Sequence, residues 1–305
     1  MKQLIPLLLF TAVLMSLELS SFSQAIRASN AWLHDSDHRL PNIRVAPVQC
    51  RLSFVREFIE LQPWTERKTI AFFGDSHMFG NGHPLENTIP YLATPSPYLP
   101  INLSIINAHP DDIVNVLELL EYKQIKPDMS IATIKHTHFK KFRSKGGVET
   151  RVNLLSYLPY NLGYYYCAAR YRNTIEPYFT ERLNKPRETY SHIELGDRYM
   201  QINGKAIDRY LPPMLEKLSE TKRPTLVYLL PHALEAFDEY GFNKKDYREI
   251  SRYLMQLCTR YRGVECLDLS ERLTLPYFHD VAHPNSKGIH AISELLQTRI
   301  RALQP

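Results

Sequence analysis

Ser76, Asp280 and His283 are the residues of this 305-residue chain whose types and spacing could together make a nucleophile and its base. Ser76 sits in FFGDSH at 72–77, where an apolar run stops abruptly at Gly74. A serine so placed stands at the carboxyl end of a buried strand, where open α/β sheets put their sites. A helix opening there would bring its first amides close to the serine, favourable for a developing oxyanion. The same Gly-Asp-Ser turn also makes an ordinary helix N-cap, so it needs a partner to mean more. An unactivated hydroxyl is a poor nucleophile, and a histidine held by a carboxylate supplies the missing base. DVAHPN at 280–285 offers that pair, with Asp280 and His283 close enough to share one loop ahead of a final helix. A loop of turn formers would explain either half alone. Both halves at opposite ends of one domain, in the order Ser, Asp, His, point to a catalytic triad.

The elements that must carry these residues follow from hydrophobic pattern. Strands are expected at 68–73, 100–106, 129–134, 225–230 and 264–269, each a short apolar run bounded by turn formers. Helices are expected at 111–122, with Ile113, Val116, Leu117 and Leu120 on one face, at 246–261, and at 287–303. Strands alternating with helices imply an α/β fold with a mainly parallel sheet covered on both faces. The alternation fails between about 140 and 221, which reads as an insertion rich in tyrosine, arginine and proline. Within it, RYMQINGKAI at 198–207 carries Asn203 and Gly204 between alternating residues, the signal for a hairpin with a type I′ turn. Tyr157, Tyr160, Tyr164, Tyr165 and Tyr166, with Arg170 and Arg172, could stack on sugars or pack a small core of the insertion.

Composition narrows the class. With 44% hydrophobic residues the chain can bury a full core, and it has no repeat or low-complexity segment. The net charge of +5 comes from Lys and Arg spread along the chain, which argues against nucleic-acid binding and leaves weak attraction to acidic polymers. Residues 1–24 have a basic start at Lys2, an apolar run from Leu4 to Met15 and small residues at Ser20, Ser21 and Ser23, the layout of a secretory signal. Export to the periplasm or medium is the expectation, and an uncleaved membrane anchor is the alternative. Of the four cysteines, Cys258 and Cys266 close the easiest loop, while buried free thiols are an equal alternative.

GDSH at 74–77 and DVAHPN at 280–285 resemble the first and last conserved blocks of the SGNH, or GDSL, hydrolase superfamily. The resemblance runs from about Lys68 to the C-terminus and implies a flavodoxin-like three-layer α/β/α sandwich; with the insertion at about 140–221, residues 25–305 are expected to form one such domain after the signal. It implies Ser76 as nucleophile and first oxyanion donor, His283 as base and Asp280 as its orienting carboxylate, with no cofactor and no metal. Two blocks depart from the family pattern. Asn107 stands where the family offers a glycine after the second strand, and Thr137 where it offers an asparagine after the third, so Asn107 and Thr137 are the remaining oxyanion candidates. His77, His136 and His138 are candidates for lining the cleft, His136 and His138 facing the same way if they lie on a strand. FFGDSH, the stretch 86–92 and YFHDVAHPN at 277–285 are also similar to proteins of polysaccharide O-acylation.

The expected function is an exported serine esterase cleaving an acyl ester of a carbohydrate or lipid, with a cell-envelope polymer as a possible partner. An O-acyltransferase using the same triad is the alternative. AHPDD at 108–112 looks like the zinc block of LmbE-type deacetylases, but Ile113 stands where those enzymes carry a glutamate, and a helix N-cap by Asp111 explains the string as well. A non-catalytic binding module on the same fold is the remaining alternative.

Overall fold

The computed structural model describes residues 55–56, 58–60, 62–80, 83–139, 188–193 and 202–304. Its frame is five short strands: β1 (Thr69–Phe73), β2 (Leu99–Asn102), β3 (Met129–Ile134), β4 (Thr225–Leu229) and β5 (Val264–Asp268). They form one parallel sheet in the order β2-β1-β3-β4-β5. This is the flavodoxin-like order, in which the chain reverses direction across the sheet between β1 and β3.

Every residue of β1, β3 and β4 is buried, because both faces of the sheet are covered. Pleating then sends alternate side chains into two separate cores. Ala71, Phe73, Ala132, Ile134, Val227 and Leu229 point into one, with Ile113, Val116, Leu211, Leu215 and Leu254 opposite them. Ile70, Phe72, Ile131, Leu226 and Tyr228 point into the other, against Ile89, Ile289, Ile292, Leu296 and Ile300. The first core is closed by helices α3 (Pro110–Tyr122), α4 (Gly204–Glu220) and α5 (Lys244–Cys258). The second is closed by α2 (Ile89–Ala93) and α6 (Ser286–Ala302), and the short α1 (Ser76–Phe79) follows β1 directly. The result is the three-layer α/β/α sandwich expected. Each fully buried Phe, Leu or Ile contributes roughly 1.5–3 kcal/mol, so this double-sided burial is what fixes the sheet.

The insertion reading changes at its end. Residues 140–187 and 194–201, with the tyrosine cluster, lie outside the described residues, as do residues 1–24, Cys50 and Cys167. Gly204–Glu220, however, is a core helix, and Asn203-Gly204 begin it where a type I′ turn is expected. Asn203 is instead the N-cap of α4, its side chain accepting from the Lys205 amide at 3.0 Å. Asn and Gly serve helix starts as readily as tight turns, and here the helix has a core to pack on. Cys258 and Cys266 are joined by a disulfide that ties the end of α5 to β5. Among the described residues, no helix is long and apolar enough to cross a membrane.

Candidate active site

The carboxyl ends of β1 and β3 flank the point where strand order reverses, and the candidate residues gather there. β1 runs into Gly74, whose site has no room for a side chain: a Cβ would lie 2.6 Å from Thr133 Oγ1 and 2.7 Å from Met78 Cβ. That close approach lets the chain turn at once into α1, with Asp75 as N-cap and Ser76 as first helical residue. α1 has four residues, so it presents little of the helix dipole expected from the sequence.

The second half of the site comes from the loop between β5 and α6. Asn285 caps α6 by accepting from the Gly288 amide at 3.1 Å, while its own amide donates to the Pro276 carbonyl at 3.0 Å. Phe278 and Pro284 bridge across the loop base, and the His279 amide donates to the His283 carbonyl at 2.9 Å. The Ala233 amide, from the loop after β4, donates to the Val281 carbonyl at 3.0 Å. These bonds fix residues 279–283 over the end of the sheet.

Ser76 Oγ lies 3.2 Å from His283 Nε2, and His283 Nδ1 lies 2.9 and 3.0 Å from the two oxygens of Asp280. Asp280 Oδ1 also accepts from the backbone amides of Ala282 and His283, both at 2.8 Å. A carboxylate facing Nδ1 places the ring proton there, so the Nε2 lone pair faces the serine hydroxyl. The His283 side chain is 32% exposed against 4% for Asp280, so the imidazole reaches solvent while the carboxylate behind it is buried. Burial alone would raise the Asp280 carboxyl, but hydrogen bonds from His279, His283 and the Ala282 amide hold it well below the usual carboxylate range. Burial pulls His283 down to about 4, helped by charge at His77 and opposed by Asp280, so the ring is neutral at pH 7 and fit to accept a proton. His279, Asp280 and His283 also bring metal-ligand atom types within 4.8 Å of one another. Both nitrogens of His283 are committed, one to Asp280 and one to Ser76, which is the arrangement of a proton relay.

The other candidates fall differently. Asn107 is exposed at the end of the segment after β2, in the left-handed conformation with φ 58° that usually belongs to glycine and that Asn tolerates. The Ile105 amide donates to the Gly74 carbonyl at 2.9 Å, which ties this segment to the serine turn. Thr137 is buried in a 3-10 turn, His136–Phe139, directly after β3. Asn107 and Thr137 therefore sit on the two segments that follow the neighbours of β1.

None of the three candidate lining histidines faces an open cleft. His136 is fully buried, its Nε2 2.9 Å from Ser251 Oγ and its ring stacked on Tyr247, and burial pulls its imidazole to about 3. His138 is buried with Nε2 toward Asp75. The expectation that these two share a strand face fails because β3 ends at Ile134 and the chain coils into the 3-10 turn. His77 is buried beneath His283. The AHPDD string is a helix start, as foreseen, but His109 is its N-cap, and Asp112 accepts from the His109 amide at 2.8 Å. A buried network unforeseen in the sequence links Asp75 to His77, Lys135 and His138. Its one sequence signal is Lys135, a charged residue directly after the strand MSIATI, every residue of which is buried.

No family model and no curated protein matches this chain. Solved structures to which it is similar include the YxiM protein of Bacillus subtilis, at 13% identity and TM-score 0.43, covering 77% of this chain and 56% of that one. A family two carbohydrate esterase from Clostridium thermocellum, in complex with cellohexaose, matches at 9% identity and TM-score 0.38, covering 77% and 64%. An active-site mutant of such an esterase from the same organism matches at 9% identity and TM-score 0.40, covering 77% and 63%. The chain thus spans less than two thirds of the length of each.

Proposed function

We propose that this chain is an SGNH-type serine esterase acting on an acyl ester of a carbohydrate or lipid, exported by residues 1–24. The observation that carries the reading is the continuous chain from Ser76 Oγ through His283 to Asp280 at the carboxyl end of the sheet. Ser76 Oγ attacks the ester carbonyl carbon while His283 Nε2 takes its proton. Collapse of the tetrahedral adduct breaks the ester bond, and His283 returns that proton to the leaving alcohol, leaving acyl-Ser76. Water then adds to the acyl-enzyme with His283 again as base, releasing the acid and restoring the serine. Asp280 holds the imidazole and stabilises its charged form. The Ser76 amide, Asn107 and Thr137 are the oxyanion donors, a set in which the left-handed Asn107 backbone supports the comparison with the family's glycine.

Hydrolysis of short aryl esters, followed for a burst of alcohol and lost in Ser76→Ala, tests this reading. A burst followed by turnover in water supports the esterase. A burst without turnover until an acceptor glycan is added would replace hydrolysis with acyl transfer. No burst, with activity removed by a chelator, would replace it with metal-dependent deacetylation.

A further inference from the structure

His77 is the residue after the nucleophile, and the reaction as written gives it no part. It is nevertheless placed with care. Its ring stacks on His283, centroids 4.5 Å apart and planes 11° from parallel. Its Nδ1 lies 2.8 Å from Asp75 Oδ1 and its Nε2 lies 2.5 Å from the Ala282 carbonyl oxygen. It thus joins the turn that carries Ser76 to the loop that carries Asp280 and His283, and it does so with both ring nitrogens facing acceptors.

Neither contact is attractive without a proton in it. A carbonyl oxygen has none to give, so Nε2 carries one toward Ala282. The 2.8 Å contact needs another, on Nδ1 or on Asp75. The second Asp75 oxygen contacts the Lys135 ammonium and faces His138 Nε2 at 3.5 Å. The Lys135 amide is directed at His138 Nδ1 at 3.4 Å, which leaves the His138 proton on Nε2, toward Asp75. Burial lowers the His77 imidazole, while these two contacts each call for a proton, so Asp75 and His77 as a pair hold one proton more than a carboxylate with a neutral imidazole. Counted with the Lys135 ammonium, the cluster bears a single positive charge wherever that proton sits.

We infer that His77 is a positioning residue for His283: with Asp75 and Lys135 it forms a buried, positively charged clamp that seats the imidazole and keeps it in its neutral, proton-accepting form. The inference rests on the proposed role of His283 as base. Other titratable groups near that ring are Asp280 and His279 from its own loop, whose His279 ring stacks on the opposite face at 5.6 Å, and His232 from the loop after β4. Asp280 opposes the clamp by favouring the charged imidazole, while burial acts with it, and the balance falls to about 4.

The test is histidine NMR titration of the wild-type protein and of His77→Phe and His77→Gln, with His283 assigned through His283→Gln. The phenylalanine keeps the stacking surface without the charge, and the glutamine keeps an amide donor without it. The expected result is a His283 titration near 4 in the wild type that rises by more than about one unit in both variants. Fluorophosphonate labelling of Ser76 then slows about twofold or more at pH 5 relative to pH 8 in the variants and by only about a tenth in the wild type. An unshifted His283 titration in the folded variants overturns the inference, as does a loss of labelling by the same factor at every pH. Absence of label on wild-type Ser76 overturns the esterase reading instead, and the titration decides the role of His77 in either case.

Discussion

Replacing Asp280 by Asn changes one atom and should disable the site through the tautomer of His283. Asp280 Oδ1 accepts two backbone amides, from Ala282 and His283, while Oδ2 faces His283 Nδ1 at 2.9 Å. An asparagine keeps those two amides satisfied only with its oxygen in the Oδ1 position. Its NH2 then lies at the Oδ2 position, 2.9 Å from Nδ1, and favours the tautomer with the ring proton on Nε2 facing Ser76, opposed only by the 3.0 Å contact between Nδ1 and the Asn oxygen. Such a ring takes no proton from the serine. Flipping the amide restores the working tautomer but leaves two buried amide donors without an acceptor, at about 1–3 kcal/mol each. At about 1.4 kcal/mol per factor of ten, the productive form falls by roughly thirtyfold to twenty-thousandfold, and about a thousandfold near the middle of that range. The assay is the second-order rate of fluorophosphonate labelling at pH 8 on protein shown folded by circular dichroism. A rate within about threefold of wild type would refute the claim that Asp280 sets the tautomer.

Three further outcomes follow from the same geometry. Gly288→Ala places a Cβ 2.2 Å from the Tyr277 carbonyl oxygen, a backbone atom, so the loop base must shift; a loss of about 1–3 kcal/mol in urea unfolding and slower labelling of Ser76 are expected. His136→Leu removes the bond to Ser251 from a buried site distant from solvent, so unfolding free energy should fall by about 1–3 kcal/mol while the labelling rate of the folded protein stays within a few fold. The depressed carboxyl of Asp280 contributes stability that is present above its unfolded value near 3.8 and is lost as pH falls below it, so Asp280→Asn should flatten the acid end of the stability profile measured by denaturant titration between pH 5 and pH 2.

Much of this was readable from residue order because the strands are short apolar runs that a parallel sheet buries on both faces. The third strand was expected at the residues where β3 lies, and the other strands and the three expected helices within three or four residues at each end. The convergence of Asp280, His283 and Ser76 was legible because the roles proposed for them need specific residue types on loops that end strands or begin helices. Helix α4 was not, since Pro212 and Pro213 lie inside it and Asn203-Gly204 mimics a turn. The clamp around Asp75 was hidden for a different reason: Lys135 and His138 meet Asp75 only because β3 pairs beside β1, a neighbour relation that periodicity does not reveal. The histidines after β3 were misplaced because an alternating pattern says nothing about where a strand stops.

Mass spectrometry of the purified protein after fluorophosphonate treatment, beside Ser76→Ala and His283→Ala, tests the central claim most directly. A single adduct on Ser76 that is absent from both variants is the predicted result. An unlabelled, folded wild-type protein, or an adduct on another residue that survives in Ser76→Ala, would contradict it.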